Sequence, residues 1–384
     1  MKSYKYPHSS QKTRFGVFVD ETKVTSGQRF WCALAKELEP SSVSMRQKPS
    51  VILFNISAPL MRILRAKLMG CKVVLRVDGL YADRLSEEFL STFRPVILRY
   101  ILRVLSKLRW TRTLATDIAN VLNRNYGAFA RIFFANCVVY QSEFSKKCYE
   151  RYFPYKPNTV ILNGTRVRFD NEFTTSGERN EIRLVTIFSS WMLLKRMGEI
   201  VRFVHYTREK RGLNIHLTIL GYNENVRPVN FTQDDVITVR TSNYIATTPP
   251  FNLGDFSVDI ASIMKNAHAF IWIAYRDCCP NAVIEAMSFG LPLVGVASGG
   301  VPEIVEDAGV LLECNDFSEG FHVSHRFEGA FPVLDYDALL TAVIEVASNN
   351  ACYRERVRKR FNKDLDISVV AKRYKETIRR YERN

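Results

Sequence analysis

The run Asp277-Cys278-Cys279-Pro280-Asn281-Ala282-Val283-Ile284-Glu285-Ala286-Met287-Ser288-Phe289-Gly290 places one carboxylate in a loop and a second on an otherwise apolar helix. Pro280 and Asn281 suit a helix start and Gly290 a helix end, and the positions between them leave no wet face for Glu285. An unpaired buried carboxylate is costly, so Glu285 needs a partner. A distant Arg or Lys is one candidate. A hydroxyl-rich ligand arriving at the helix mouth is the other, and the helix alone leaves both open.

Working outward, residues 267–274 form a continuous apolar run of strand length and residues 291–296 form another. The order strand, loop, helix, strand is a βαβ unit, which requires a parallel sheet. The second strand runs into Ser298-Gly299-Gly300-Val301-Pro302-Glu303, where the glycines permit a tight turn with exposed amides and Pro302 suits a new helix. Both loops fall at carboxyl ends of parallel strands, where open α/β sheets bind ligands. Asp277, Asn281, Gly299 and Gly300 are therefore expected to share one crevice. A helix amino terminus there favours a phosphate.

With these residues in place, the chain resembles glycosyltransferase family 4, the glycosyl transferases group 1. These are retaining, nucleotide-sugar-dependent enzymes with the GT-B fold. The family signature reads E-G-F-P-N-x-x-x-E-A-M-A-x-G-x-P-V-V, followed by G-G-x-P-E. Here Asp277 replaces the first Glu, Cys278-Cys279 replace Gly-Phe, Ser288 and Leu293 stand for an Ala and a Val, and the other signature positions fit through Glu303. The resemblance implies that Glu285 holds the ribose hydroxyls of the nucleotide and that Asp277 contacts the transferred sugar.

Further matches extend along the chain. Val138-Val139-Tyr140-Gln141-Ser142-Glu143-Phe144-Ser145 resembles the last strand and turn of the family's first domain, and Val160-Ile161-Leu162-Asn163-Gly164 its interdomain link. Residues 184–189 and 217–221 read as strands of the second domain. Between them, Ser190-Trp191-Met192-Leu193-Leu194-Lys195-Arg196-Met197-Gly198 is similar to the segment in which an Arg and a Lys grip the diphosphate. Lys195 matches that Lys, but Ser190 stands where the Arg is usual, so Arg196 or another cation must substitute. In the first half, residues 14–19, 51–54 and 71–75 read as strands and residues 30–38 as an amphipathic helix. Gly27 remains of the two or three glycines with which the family's first loop approaches the donor phosphate and acceptor. Asp78 ends a strand and would face the crevice from the acceptor side, with a turn Asp before Gly79 as the rival account.

The expected architecture is α/β of the GT-B type: two Rossmann-like, doubly wound parallel-sheet domains facing a central cleft. Length agrees, since 384 residues exceed one ordinary core. The expected division is a loose segment 1–12, an acceptor-side domain 13–165, a nucleotide-sugar-binding domain 166–365, and a helix 366–384 crossing back to the first domain. The implied activity is retaining transfer from a nucleotide sugar to a saccharide or lipid-linked acceptor, in cell-surface polysaccharide or glycolipid synthesis. Asp277, Asp78 and Lys195 are the catalytic candidates. Glu285, Asn281, Lys195, Arg196, Ser190, Gly27, Gly299 and Gly300 are the donor-binding ones. The alternatives are a GT-B epimerase or hydrolase, or a basic protein that binds without catalysis.

No cofactor is expected, and no obligatory metal. The eight cysteines show neither C-x-x-C spacing nor pairing with His, which suits reduced thiols in a cytoplasmic protein. Asp335-Tyr336-Asp337 spells the D-x-D of metal-dependent transferases, but its place before the apolar run 338–347 reads as helix capping. No apolar run reaches the roughly 18 residues that span a bilayer, and the amino terminus lacks a signal-peptide core.

The net charge of +15 calls for an anionic partner. Nucleic acid is not expected, because no helix-turn-helix, zinc or RNA-binding sheet signature is present. Arg99, Arg103 and Lys107 lie four apart on one helical stripe opposite Ile97, Tyr100, Ile101, Val104, Leu105 and Leu108, with Trp110 as an interfacial anchor. This pattern suits either a helix packed on its own sheet or one resting on an anionic membrane surface, on its cytoplasmic face. The membrane reading expects flotation with anionic liposomes that is lost in an Arg99→Glu/Arg103→Glu/Lys107→Glu variant. Equal flotation of the two proteins removes it.

Overall fold

The computed structural model describes residues 15–19, 26–38, 49–79, 126–150, 153, 155–166, 168, 181–188, 195–220, 237–240, 258–314 and 332–382. The basic stripe of Arg99, Arg103 and Lys107, the segment 1–12 and Ser190 lie outside these residues.

The first lobe carries β1 (Phe15–Val17), α1 (Ser26–Leu38), β2 (Val51–Asn55), α2 (Leu60–Leu68), β3 (Lys72–Val77), β4 (Cys137–Tyr140), α3 (Glu143–Glu150) and β5 (Asn158–Val160). Its strands pair in parallel in the order β1-β2-β3-β4-β5. Strand side chains alternate between faces, so an apolar run buried on both sides needs a cover on each. Val51, Leu53, Val74, Cys137 and Val139 pack on one face with Phe30, Trp31 and Leu34 of α1. Ile52, Phe54, Val73, Leu75, Val138 and Tyr140 pack on the other with Ile63 and Ala66 of α2 and with Ala128 and Ile132.

The second lobe carries β6 (Ile182–Ile187), α4 (Met197–Arg211), β7 (Ile215–Leu220), β8 (Ile237–Arg240), α5 (Val258–Asn266), β9 (Ala269–Trp272), α6 (Asn281–Met287), β10 (Leu293–Val296), α7 (Val301–Val305), β11 (Gly309–Leu312), α8 (Tyr336–Ser348) and α9 (Asn350–Arg360). The parallel order is β11-β10-β9-β6-β7-β8. Chain order therefore reverses between β6 and β9, and their carboxyl ends open the crevice where α/β sheets take ligands. Strand β8 lies within residues 222–256, where the sequence shows no readable pattern beyond the β-branched Ile237-Thr238-Val239.

The final helix, α10 (Ile367–Glu382), returns to the first lobe, where Ile367, Val370, Ala371, Tyr374 and Ile378 join the core of α1. The two passages of chain between the lobes are tied together: the Thr165 amide donates to the Leu365 carbonyl at 3.0 Å and the Ile367 amide to the Thr165 carbonyl at 2.9 Å. Gly164 permits this approach, because a Cβ there would lie 2.7 Å from the Leu365 carbonyl oxygen.

Among the described residues, no helix is long and apolar enough to cross a membrane and no group of three or more metal-ligating side chains converges. The D-x-D run is a cap: Asp335 Oδ1 accepts from the amides of Asp337 at 2.9 Å and Ala338 at 3.0 Å. Asp335→Ala is expected to cost about 1 kcal/mol of stability and Asp335→Asn only a fraction of that. Urea unfolding of the three proteins measures the difference, and equal stabilities would remove the capping role.

Candidate functional site

The crevice at the β6/β9 reversal is built around Lys195 and Asp277. Lys195 follows β6, Asp277 follows β9, and the ammonium contacts the Asp277 carboxylate directly. Trp272, the last residue of β9, holds the lysine in place, with Nζ 4.5 Å from the ring centroid. The indole is itself fixed by stacking on Phe188 and Phe270, at centroid distances of 5.6 and 6.0 Å. Arg196 (φ 54°) and Arg276 (φ 53°), the sequence neighbours of this pair, both sit in the left-handed region. Such conformations strain a non-glycine residue and persist where surroundings enforce them.

The glycine turn presses against the Asp277 loop. Gly300 donates its amide to the Asp277 carbonyl at 2.8 Å, and a Cβ on Gly300 would fall 1.9 Å from the Cys278 carbonyl oxygen. Gly299 (φ 67°) comes nearly as close to Asp277 itself, since a Cβ there would fall 2.2 Å from the Asp277 carbonyl oxygen. Close approach of two backbones thus requires both glycines. The Arg276 amide adds a bond to Ser298 Oγ at 2.8 Å.

Glu285 is buried, and its carboxylate points out of the second lobe toward the first. Arg29 of α1 brings Nη2 to 3.8 Å from Glu285 Oε1, while Arg168, in the chain connecting the lobes, acts on it from nearby. Burial raises the Glu285 pKa, against the opposing pull of Arg29 and then Arg168. Burial also pushes Arg168 down to about 10. The partner demanded by this helix is therefore a cation, brought largely by the opposite lobe. Gly27 lies in the first turn of that same α1.

Asp78 is held by Arg76 and by Asn55 Nδ2. Asn281 Oδ1 accepts from Asn163 Nδ2 at 2.8 Å. Arg196 turns to Glu199 Oε2 at 2.7 Å and the Pro332 carbonyl at 2.8 Å. A second interlobe contact comes from Glu303, whose carboxylate accepts from the amides of Glu143 at 2.6 Å and Phe144 at 2.8 Å. Ser142 Oγ takes the next donor, Ser145, at 3.0 Å, so the first turn of α3 is satisfied partly by the other lobe.

The structure thus gathers Lys195, Asp277, Gly299 and Gly300 in one crevice, sets Glu285 opposite the helix of Gly27, and leaves Arg196 engaged elsewhere. Arg29, Arg168 and Trp272 carry no mark in the sequence, and Glu303 stands there only as the end of the G-G-x-P-E match. No spacing marks the first two, and Trp272 reads as an ordinary core residue in an apolar strand.

The family model for glycosyl transferases group 1 matches residues 188–323. No curated protein matches the chain. Among solved structures, the chain is similar to the pneumococcal O-GlcNAc transferase GtfA in complex with UDP and GlcNAc, at 12% identity and TM-score 0.51. That match covers 87% of this chain but 57% of GtfA, so the chain spans little more than half of that protein. It is similar to Anabaena Alr3699/HepE in complex with UDP-glucose at 12% identity and TM-score 0.51, covering 90% of this chain and 82% of that one. Sucrose-phosphate synthase from Thermosynechococcus elongatus gives 13% identity and TM-score 0.54, with 94% and 80% covered. The fold is GT-B: two Rossmann-like parallel-sheet domains with flanking helices, facing a central cleft.

A carboxyl whose pKa rises on folding binds its proton more tightly in the folded chain, so its contribution to stability falls as pH climbs through the raised value. Glu285→Gln, permanently neutral, is expected to melt above the wild type at about pH 8 and together with it near pH 4. A variant that melts lower at the higher pH would show that Arg29 and Arg168 outweigh burial.

Proposed function

We propose that this protein is a retaining glycosyltransferase of family 4 that moves a sugar from a nucleotide-sugar donor to a saccharide or lipid-linked acceptor. The observation that carries the reading is the Lys195 and Asp277 pair at the β6/β9 reversal, with Glu285 on the lobe face beside it. A cation, a hydroxyl-accepting carboxylate and a second carboxylate set across one crevice match a diphosphate, a ribose and a sugar hydroxyl.

In this reading the ribose hydroxyls take Glu285 in place of Arg29. The diphosphate lies near Lys195 and the Asn281 helix mouth, and the sugar is directed at Asp277. Gly299 and Gly300 shape the loop around it. The acceptor enters from the side of Gly27 and Asp78. Bond cleavage builds charge on the departing phosphate, which takes the acceptor proton in a front-face attack. Fixed positive charge from Lys195 stabilises that phosphate and is the largest catalytic contribution, with no divalent metal required. The excess of basic residues suits an acceptor at an anionic membrane surface, on the cytoplasmic face, and a role in surface polysaccharide or glycolipid synthesis.

A thermal-shift screen across nucleotide sugars identifies the donor, since a ligand of the folded state raises its melting temperature. UDP-sugars head the screen because GtfA and HepE were solved with UDP and UDP-glucose. Hydrogen bonds to a charged group contribute about 1.5–3 kcal/mol each. With two ribose hydroxyls bound, Glu285→Ala is expected to weaken donor binding about 100-fold or more with the fold intact. Calorimetry showing unchanged affinity refutes the role.

A further inference from the structure

A chain of polar side chains runs from Asp78 in the first lobe to the Asp277–Asn281 loop of the second. Arg76 is 1% exposed and stands at its centre. One arm of its guanidinium donates to Asp78, the other to Asn163 Oδ1, and its plane lies 4.4 Å from the centroid of Phe30. Asn163, 3% exposed, passes the connection on. Its Nδ2 donates to Asn281 Oδ1 at 2.8 Å and to the Cys279 carbonyl at 3.4 Å, and its backbone amide points to Cys279 Sγ at 3.4 Å.

This amide has one workable orientation. Turned over, its NH2 would face a guanidinium and its oxygen two other oxygens. The planar fork of Arg76 fixes the remaining angle. Both ends of the chain reach the cleft, where Asp78 and Asp277 each have side chains 24% exposed, while the middle is sealed. Its middle also lies beside the join of the lobes, since Asn163 lies two residues before Thr165, which pairs with Leu365 and Ile367.

We propose that Arg76 and Asn163 are positioning residues that couple the placement of Asp78 on the acceptor side to that of the Asp277–Asn281 loop on the donor side. An acceptor hydroxyl engaging Asp78 draws on the same carboxylate that holds Arg76, and the adjustment reaches the loop through Asn163. The assignment of sides rests on the transferase reading, whereas the coupling itself is a property of the unliganded chain.

The test measures amide hydrogen exchange of the full chain over residues 277–287 in wild type, Asp78→Asn, Asn163→Ala and the double variant. Asp78→Asn is expected to accelerate exchange in that segment about threefold or more, and to add nothing once Asn163 is alanine. Exchange at 277–287 unmoved by Asp78→Asn, or moved equally with and without Asn163, overturns the proposal. With the nucleotide sugar found by thermal shift, Asn163→Asp keeps an acceptor for Arg76 but sets oxygen against Asn281. It is expected to lower kcat about tenfold or more, with donor KM rising less than kcat falls. A donor KM that rises as far as kcat falls also overturns the positioning role. A wild type on which no nucleotide sugar acts removes the transferase reading, and the exchange result then decides the coupling alone.

Discussion

The chain passes between its lobes twice, and the two passages hydrogen-bond to each other at Thr165, Leu365 and Ile367. Everything at the cleft depends on that join. It sets α10 against α1, and it brings Arg29 of α1 to the carboxylate of Glu285 and the amino end of α3 to Glu303. The join needs little chemistry beyond a glycine at 164 and backbone bonds.

Four described carboxylates at the cleft are each met by a donor. Asp277 has Lys195, Asp78 has Arg76, Glu285 has Arg29 with Arg168 nearby, and Glu303 has two backbone amides. Burial still raises the pKa of Glu285 and Glu303 despite these partners. The folded chain thus holds Glu285 and Glu303 where water would keep their charge more comfortably.

Much of this was legible from the residues, for reasons that differ element by element. Strands buried on both faces announce themselves as continuous apolar runs, as in residues 51–54 and 267–274, whereas the edge strands β5, β8 and β11 do not. The Asp335 cap was readable because capping is local. Glu285 stood out because a carboxylate on an apolar helix violates the pattern around it. Its partners did not, since Arg29 meets it only where the lobes dock and Arg168, far away in sequence, is brought there by its bonds to Ser288, and no local periodicity records such meetings. Trp272 was hidden for the opposite reason: it obeys its strand's apolar pattern while serving as the seat of Lys195. Gly299 and Gly300 were read as shaping a tight turn with exposed amides, yet the Gly300 amide is bonded to Asp277 and both glycines answer to the approach of a second backbone.

The bond between Glu303 and α3 makes the two halves poor candidates for independent exchange. A helix that borrows its terminal acceptor from the neighbouring half is complete only in the company of that half. Chimeras built by shuffling lobes among relatives would have to carry the acidic residue and the receiving amides as a matched set.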